Sequence, residues 1–105
     1  MAAVRRAAKI DAGQLAIVDA LRAIGASVQS LAAVGAGVPD LLVGWRGVTL
    51  LLEVKQPPGP RGGVSQDGQH LGGAQVRWAR AWRGGAVLVV RSPEQALVVV
   101  TGVTA

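Results

Sequence analysis

The chain has no cysteine, phenylalanine or tyrosine, and only one histidine and one methionine in 105 residues. Without cysteine, disulfides and thiolate metal sites are excluded, an absence that fits a reducing cytoplasm. The lone histidine, His70, has no second imidazole or thiolate with which to share a zinc ion, so it reads as an exposed loop residue. No apolar run approaches the roughly 18 residues needed to cross a membrane. The basic N-terminus, Met1 to Lys9, lacks the apolar core of a signal peptide. Acidic residues are also scarce: six, against eleven Lys and Arg, for a formal charge of +5. Nine of the eleven cations are Arg, the side chain best matched to phosphate oxygens, although GC-rich coding yields the same bias. Gly35-Ala-Gly37 is not followed by the Lys-Ser/Thr of a phosphate-binding loop, which argues against a nucleotide cofactor.

What is present is aliphatic. Half the residues are hydrophobic, with three tryptophans as the only aromatic packing units, and the length suits one domain with one modest core. Residues 1–10 form a basic arm, either flexible or a frayed lead-in to a helix, and residues 11–105 form the domain. Asp11 and Gln14 have the spacing of a capping box. Leu15, Val18, Leu21 and Ile24, with Ile17 beside them, then predict a helix over Gln14–Ile24 closed by Gly25. Ser27–Leu31 reads as a short strand. Ala33–Gly37 reads as a flexible loop. Pro39–Gly44 and Val48–Val54 read as two strands joined by a tight turn at Arg46-Gly47. A long Gly- and Pro-rich loop from Gln56 to Gly73 leads into a helix from Ala74 to Arg83. A strand over Ala86–Arg91, a helical turn over Ser92–Ala96 and a last strand over Leu97–Thr101 complete the chain. The expected fold is an α/β mixed central sheet in the order α-β-β-β-α-β-β, with helices covering both faces of its apolar strands.

Three ionisable residues interrupt the two central strands: Asp40, Glu53 and Lys55. An unpaired charge buried there costs several kcal/mol, on the order of a small domain's stability. A two-residue turn at Arg46-Gly47 pairs Trp45 with Val48, and the same register sets Asp40 opposite Glu53. Longer turns would shift that register. Lys55, two residues beyond Glu53, shares its face. Two facing carboxylates repel unless a cation intervenes. With the Val54 carbonyl they make a hard oxygen site suited to Mg²⁺ or Mn²⁺. Such an ion polarises a phosphodiester, and Lys55 is positioned to stabilise charge developing on the phosphate. The plainer alternative, a buried salt bridge from Lys55 to Asp40 or Glu53, leaves one carboxylate over.

On these residues the chain resembles the PD-(D/E)XK nuclease superfamily, and more closely its small stand-alone VRR-NUC members of phage and bacterial origin. The likeness runs from about Asp11 to Val100. It rests on Leu21-Arg-Ala-Ile-Gly25, Gly37-Val-Pro-Asp40, Leu52-Glu-Val-Lys55 and Gln75-Val-Arg-Trp78. The resemblance implies a restriction-endonuclease-like fold and metal-dependent hydrolysis of DNA phosphodiesters. Asp40 and Glu53 would be metal ligands, Lys55 the catalytic lysine and Gln75 a matching active-site glutamine. It also implies the cytoplasm of a bacterial or phage-infected cell, and relatives with junction-resolving roles suggest a preference for branched or nicked DNA. In one respect the chain departs. Where the superfamily commonly carries an acid in the first helix, this sequence has Gln14, flanked by Asp11 and Asp19. Gln14 offers a neutral carbonyl as a ligand, or is simply part of the capping box. A two-metal mechanism is thereby in doubt, while one-metal chemistry stays open.

Gln75, Trp78 and Trp82 fall within about 60° on their helix, the face expected against the sheet, with both tryptophans in the core. Arg77, Arg80 and Arg83 occupy an arc of roughly 120° on the other side, either a phosphate-tracking stripe or an ordinary solvated surface. Arg5, Arg6 and Lys9 read as a DNA-contacting arm or a solubilising terminus. The expected partner is DNA, and cutting both strands would call for a homodimer. Two rival functions remain: a DNA-binding module of this fold without turnover, and a structural interaction domain with no salt-dependent DNA binding.

Overall fold

The computed structural model describes residues 12–55 and 72–103. Asp11, the arm residues Arg5, Arg6 and Lys9, and His70 lie outside them. Helix α1 (Ala12–Ala23) leads into strands β1 (Ser27–Ser30), β2 (Leu41–Trp45) and β3 (Val48–Val54). Helix α2 (Gly73–Ala81), strand β4 (Val87–Val90) and helix α3 (Pro93–Gly102) follow. The sheet order is β1-β2-β3-β4. The first three strands are antiparallel and β4 runs parallel to β3. This is a mixed α/β architecture, with three helices and four strands among the described residues.

Helix α1 buries Gln14, Ile17, Val18 and Leu21. The expected face included Leu15 and Ile24, which are exposed instead. A three-residue repeat drifts by about 60° at each step around a 3.6-residue helix, so its two ends rotate off the buried stripe. The helix closes as anticipated. Gly25 takes φ 97°, its N–H donates to the Arg22 carbonyl and the Ala26 N–H donates to the Leu21 carbonyl. These two bonds make a Schellman cap.

The β2–β3 hairpin follows the predicted register, with Trp45 opposite Val48 and Leu41 opposite Leu52. Arg46 and Gly47 both take positive φ, 49° and 83°, as a two-residue type I′ turn requires. The Arg46 guanidinium lies over the Trp45 ring, 4.8 Å from its centroid.

Alternation along β2 and β3 turns Leu41, Val43, Leu50 and Leu52 to one face, where they join Ile17, Val18 and Leu21 of α1, Val90, and Ala96 and Val100 of α3. Helix α1 packs on α3 and β1, and α3 packs on β4. Helices therefore cover one face of the sheet. Among the described residues the expected two-sided coverage is not met: Leu42 and Val89, pointing the other way, are 36% and 40% exposed. No side chain of α2 is buried.

The last element also differs from expectation. Residues 92–101 were expected to form a helical turn and then a strand; they form helix α3. The Ser92 hydroxyl accepts from the Gln95 N–H at 3.0 Å, Pro93 occupies the first turn, and the Gln95 side chain accepts from the Arg91 N–H at 2.7 Å. Ala96 and Val100, four apart, are fully buried, while Val98 is 72% exposed. Strand preference in Val98-Val99-Val100 yields to burial against α1. Among the described residues the element order is thus α-β-β-β-α-β-α.

Candidate functional site

Asp40 immediately precedes β2, behind the buried Pro39, and its carbonyl accepts from the Leu31 N–H at 2.8 Å. Because the hairpin register continues one step past Leu41 and Leu52, Asp40 arrives beside the end of β3. Its carboxylate accepts from the Val54 N–H at 2.7 Å. The amide of Val54 thus orients the acid, and its carbonyl belongs to the same turn of backbone.

Glu53 is 3% exposed in a strand whose other residues, Thr49 apart, are aliphatic. Burial, and then the neighbouring Asp40 carboxylate, push its pKa up to about 7, against the opposing pull of Lys55 and Gln75. Lys55 Nζ lies 3.7 Å from Glu53 Oε2. The salt bridge weighed from the sequence is therefore present as a loose contact, and Asp40 is the carboxylate left over. The backbone of Lys55 is fixed by its N–H donating to the Val90 carbonyl at 3.0 Å.

Gln75 joins these groups. Its Nε2 donates to Glu53 Oε2, while its Oε1 accepts from Lys55 Nζ at 3.2 Å and from the Gly72 N–H at 2.8 Å. One side chain thus bonds both charged groups and caps the first turn of α2. Four residues separated by up to 35 positions, Asp40, Glu53, Lys55 and Gln75, thus converge at the carboxyl end of β3.

The donor chemistry fits one hard divalent cation. Two adjacent carboxylates, one of them held protonated to near neutrality by the other and by burial, lose their mutual repulsion when such a cation lies between them. Mg²⁺ commonly takes only one or two carboxylates and completes its shell with water and phosphate oxygens. Among the described residues no group of three or more acidic, histidine or cysteine side chains that could hold a metal ion is found. Gln14 is buried on the α1 stripe with Ile17, Val18 and Leu21, and Asp19 is exposed.

Sequence reasoning missed Gly37. It takes φ 85°, and a Cβ there would overlap the Ala74 carbonyl oxygen and lie 3.0 Å from the Gln75 nitrogen. The loop before Asp40 therefore touches the backbone of α2 directly, and this contact carries Gln75 into the site. The sequence signal is the glycine itself, three residues before Asp40 in Gly37-Val-Pro-Asp40, which reads as loop and motif without a contact of its own.

The second helix also ends earlier than expected. It stops at Ala81 with Trp82 as its C-cap, so Arg77 and Arg80 are exposed on the helix while Arg83 lies beyond it. The chain has already turned out of the helix at Trp82, where ψ is 128°. Nor are both tryptophans core. Trp78 is half-buried and Trp82 is 46% exposed, their rings stacked with centroids 4.8 Å apart and planes at 17°. The sheet beneath them is too lightly covered to enclose both.

No helix among the described residues is long and apolar enough to cross a membrane. Compared with protein-family models, curated proteins and solved structures, the chain matches none.

Proposed function

We propose that this protein is a Mg²⁺- or Mn²⁺-dependent DNA endonuclease of PD-(D/E)XK type, with a VRR-NUC-like active site in a restriction-endonuclease-like fold. The observation that carries the reading is the convergence of Asp40, Glu53, Lys55 and Gln75 at one strand end, with Glu53 buried against a second carboxylate.

Asp40 and Glu53 would hold the ion, with the Val54 carbonyl as an adjacent oxygen. When bound, such an ion supplies Lewis acidity at the phosphate and lowers the pKa of an attacking water. The chain's own groups do the rest. The Val54 N–H fixes the Asp40 carboxylate, so it does not reorganise when substrate arrives. Gln75 holds Glu53 by its amide N–H and Lys55 by its carbonyl, which keeps the ammonium from collapsing fully onto the glutamate. Lys55 is then free to donate to a non-bridging phosphate oxygen as charge accumulates there. Water oxygen bonds to phosphorus as the P–O bond to the leaving ester oxygen breaks; the water proton passes to solvent, and the leaving oxygen takes a proton from solvent to depart as a hydroxyl. Arg77 and Arg80, exposed on the helix that carries Gln75, meet neighbouring phosphates. Selectivity for branched or nicked DNA, a homodimer with two active sites and residence in the cytoplasm of a bacterial or phage-infected cell belong to the same proposal.

A second reading, a DNA-binding module without turnover, is favoured by the neutral Gln14 in α1. Incubation with supercoiled and branched DNA separates the two. Wild type should cut in Mg²⁺ or Mn²⁺ and not in chelator, and Lys55→Ala should bind DNA without cutting it. Wild type that binds DNA yet nicks it in neither metal refutes the enzyme reading.

A further inference from the structure

The site draws on the ends of β2 and β3 and on α2, but a fourth element ends beside it. Strand β4 runs parallel to β3, with Glu53 opposite Val89 and Val54 opposite Val90. Pairing continues one step further, because the Lys55 N–H donates to the Val90 carbonyl at 3.0 Å. The residue that falls opposite Lys55 is therefore Arg91. Val90 is buried in the core and Val89 lies on the open face. Alternation then returns Arg91 to the open face, the one that Glu53, Lys55 and Gln75 share. Its backbone is fixed there. The Arg91 N–H donates to the Gln95 side chain at 2.7 Å, and Ser92, extended at φ −153° and ψ 160°, starts α3 directly after it. Arg91 is partly buried, whereas Arg77 and Arg80 are exposed along a helix with no buried side chain.

Neighbouring strands lie about 4.8 Å apart, so the backbones of Lys55 and Arg91 are about that far from each other. Two cations side by side repel, as the two carboxylates beside them do. The charges thus fall in two rows. Asp40 and Glu53 form the first, and Lys55 and Arg91 form the second, about 7 Å further along the strands. A divalent cation relieves the first row and an anion relieves the second. A phosphodiester bound to that cation answers both.

We propose that Arg91 closes on the same phosphate as Lys55, from the β4 side, so that the two side chains clamp the non-bridging oxygens of the scissile group. The proposal rests on the nuclease reading and adds a catalytic residue to it. Two carboxylates suit one divalent ion, which leaves charge on the far side of the phosphate to be met by side chains. Lys55 supplies one ammonium, already engaged by Glu53 and Gln75. The Arg91 guanidinium presents a planar fork that matches two phosphate oxygens at once. It stays protonated throughout, so no bond in the reaction forms or breaks on it. Its contacts strengthen as negative charge gathers on those oxygens, and its effect therefore falls on the bond-breaking step.

Single-turnover cleavage in Mg²⁺ at saturating protein reads that step. Arg91→Ala should slow it about 100- to 1000-fold, as when one donor to a developing oxyanion is lost. Arg91→Lys, which keeps the charge without the fork, should recover at least about tenfold of that loss. Two controls should cut as wild type does. Arg46→Ala removes the same charge at the hairpin turn, the far end of β3, and Glu94→Gln removes the acid in the first turn of α3. A second readout involves no cleavage: DNA binding at fixed Mg²⁺ in the Lys55→Ala background, followed against monovalent salt. Adding Arg91→Ala should lower the slope of log affinity on log salt, by up to about 0.9 for one phosphate contact, and adding Arg46→Ala should not.

A normal single-turnover rate in Arg91→Ala overturns the proposal even if affinity falls, because the residue then holds another phosphate. A slower rate with an unchanged salt slope overturns it as well, since the side chain then acts without touching phosphate. So does an equal loss in Glu94→Gln, which makes Arg91 a salt-bridge partner of α3, or an Arg91→Lys no faster than Arg91→Ala. Wild type cuts in all of these, and the nuclease reading stands. If wild type never cuts while Arg91→Ala still lowers the slope, the nuclease reading falls and the phosphate contact of Arg91 remains. An unchanged slope in that case removes both.

Discussion

Gly35 and Gly37 offer a matched pair of substitutions that isolates the contact holding α2 on the site. Both take left-handed backbone angles, φ 71° and 85°, and Ala36 between them already sits at φ 58°. Alanine at either position therefore carries a similar conformational penalty, about 1–2 kcal/mol. Their surroundings differ. A Cβ at Gly35 meets nothing within 4 Å, whereas one at Gly37 runs into the Ala74 carbonyl oxygen and approaches the Gln75 nitrogen. Both partners in that clash are backbone, so no rotamer change relieves it, and the start of α2 has to retreat. With no buried side chain to hold it, α2 moves readily, and Gln75 withdraws from Glu53 and Lys55. Hydrogen bonds to charged groups contribute roughly 1.5–3 kcal/mol each, partly recovered here by water entering the opened site. Gly37→Ala should therefore cost about 1–3 kcal/mol more than Gly35→Ala. At about 4–8 °C per kcal/mol for a domain of this size, the difference is visible in thermal unfolding. Amide exchange provides a readout independent of activity. The Val76 and Trp82 amides, bonded to the Gly72 and Trp78 carbonyls, should exchange faster in Gly37→Ala and unchanged in Gly35→Ala. Metal-dependent cleavage should fall about 10- to 100-fold in Gly37→Ala alone, as when a residue orienting the groups around a metal is lost. Equal unfolding temperatures and equal exchange in the two variants would refute the reasoning, because the clash would then have no consequence.

Glu53 gives the metal-free protein a pH dependence of defined sign. Its proton leaves near pH 4.5 in the unfolded chain and near pH 7 in the folded one. The folded state thus holds the extra proton in that window, and stability falls as pH rises through it, by roughly 3 kcal/mol in all. Denaturant titrations in chelator from pH 4 to 8, about the range of interest, should show this fall in wild type and lose it in Glu53→Gln. A wild-type curve rising over the same window would contradict the buried, repelled carboxylate. Added Mg²⁺ should stabilise increasingly as pH rises, since only the ionised carboxylates are ligands. In α3, Val98→Lys should change stability by no more than about 0.5 kcal/mol, while Val100→Lys should abolish cooperative unfolding. In a strand the two valines would share a face and respond alike, so similar outcomes would restore the strand reading.

The parts of this molecule that were legible in advance are those where one local feature dictates a long-range consequence. The Arg46-Gly47 turn is such a feature: once both residues take positive φ, every pair along β2 and β3 follows, and Asp40 is carried towards Glu53 without knowledge of the rest of the fold. Gln75 was singled out by the family resemblance, with helical spacing placing it on the face of Trp78, and the structure brings it to Glu53. Helix α3 was not. Its local propensities pull both ways, with a valine triplet favouring a strand and Ser92-Pro93-Glu94-Gln95 carrying a helix start of the S-x-x-Q type. Contact with α1, a partner about 80 residues earlier, decides between them, and no window of sequence contains it.

The misjudged face of the sheet has the same origin and a larger consequence. Leu42, Leu51, Val87 and Val89 make the strands apolar on both sides, and continuous apolar strands ordinarily lie between two layers of helix. Among the described residues the second layer is α2 alone, short, without a buried side chain, and held at the sheet by the polar bonds of Gln75 and the close approach at Gly37. Had α2 been docked by a broad apolar face, Gln75 could have been lost without moving it, and the catalytic groups would be independent of the surface beside them. Because polar bonds to Glu53 and Lys55 do most of the docking, the helix that bears Trp82 and Arg80 is registered to the carboxylate pair itself. Under the proposed nuclease function, a DNA strand lying along α2 would be measured from the residues proposed to cut it. The sparse packing that made the second layer look incomplete would then couple the proposed binding surface to the site.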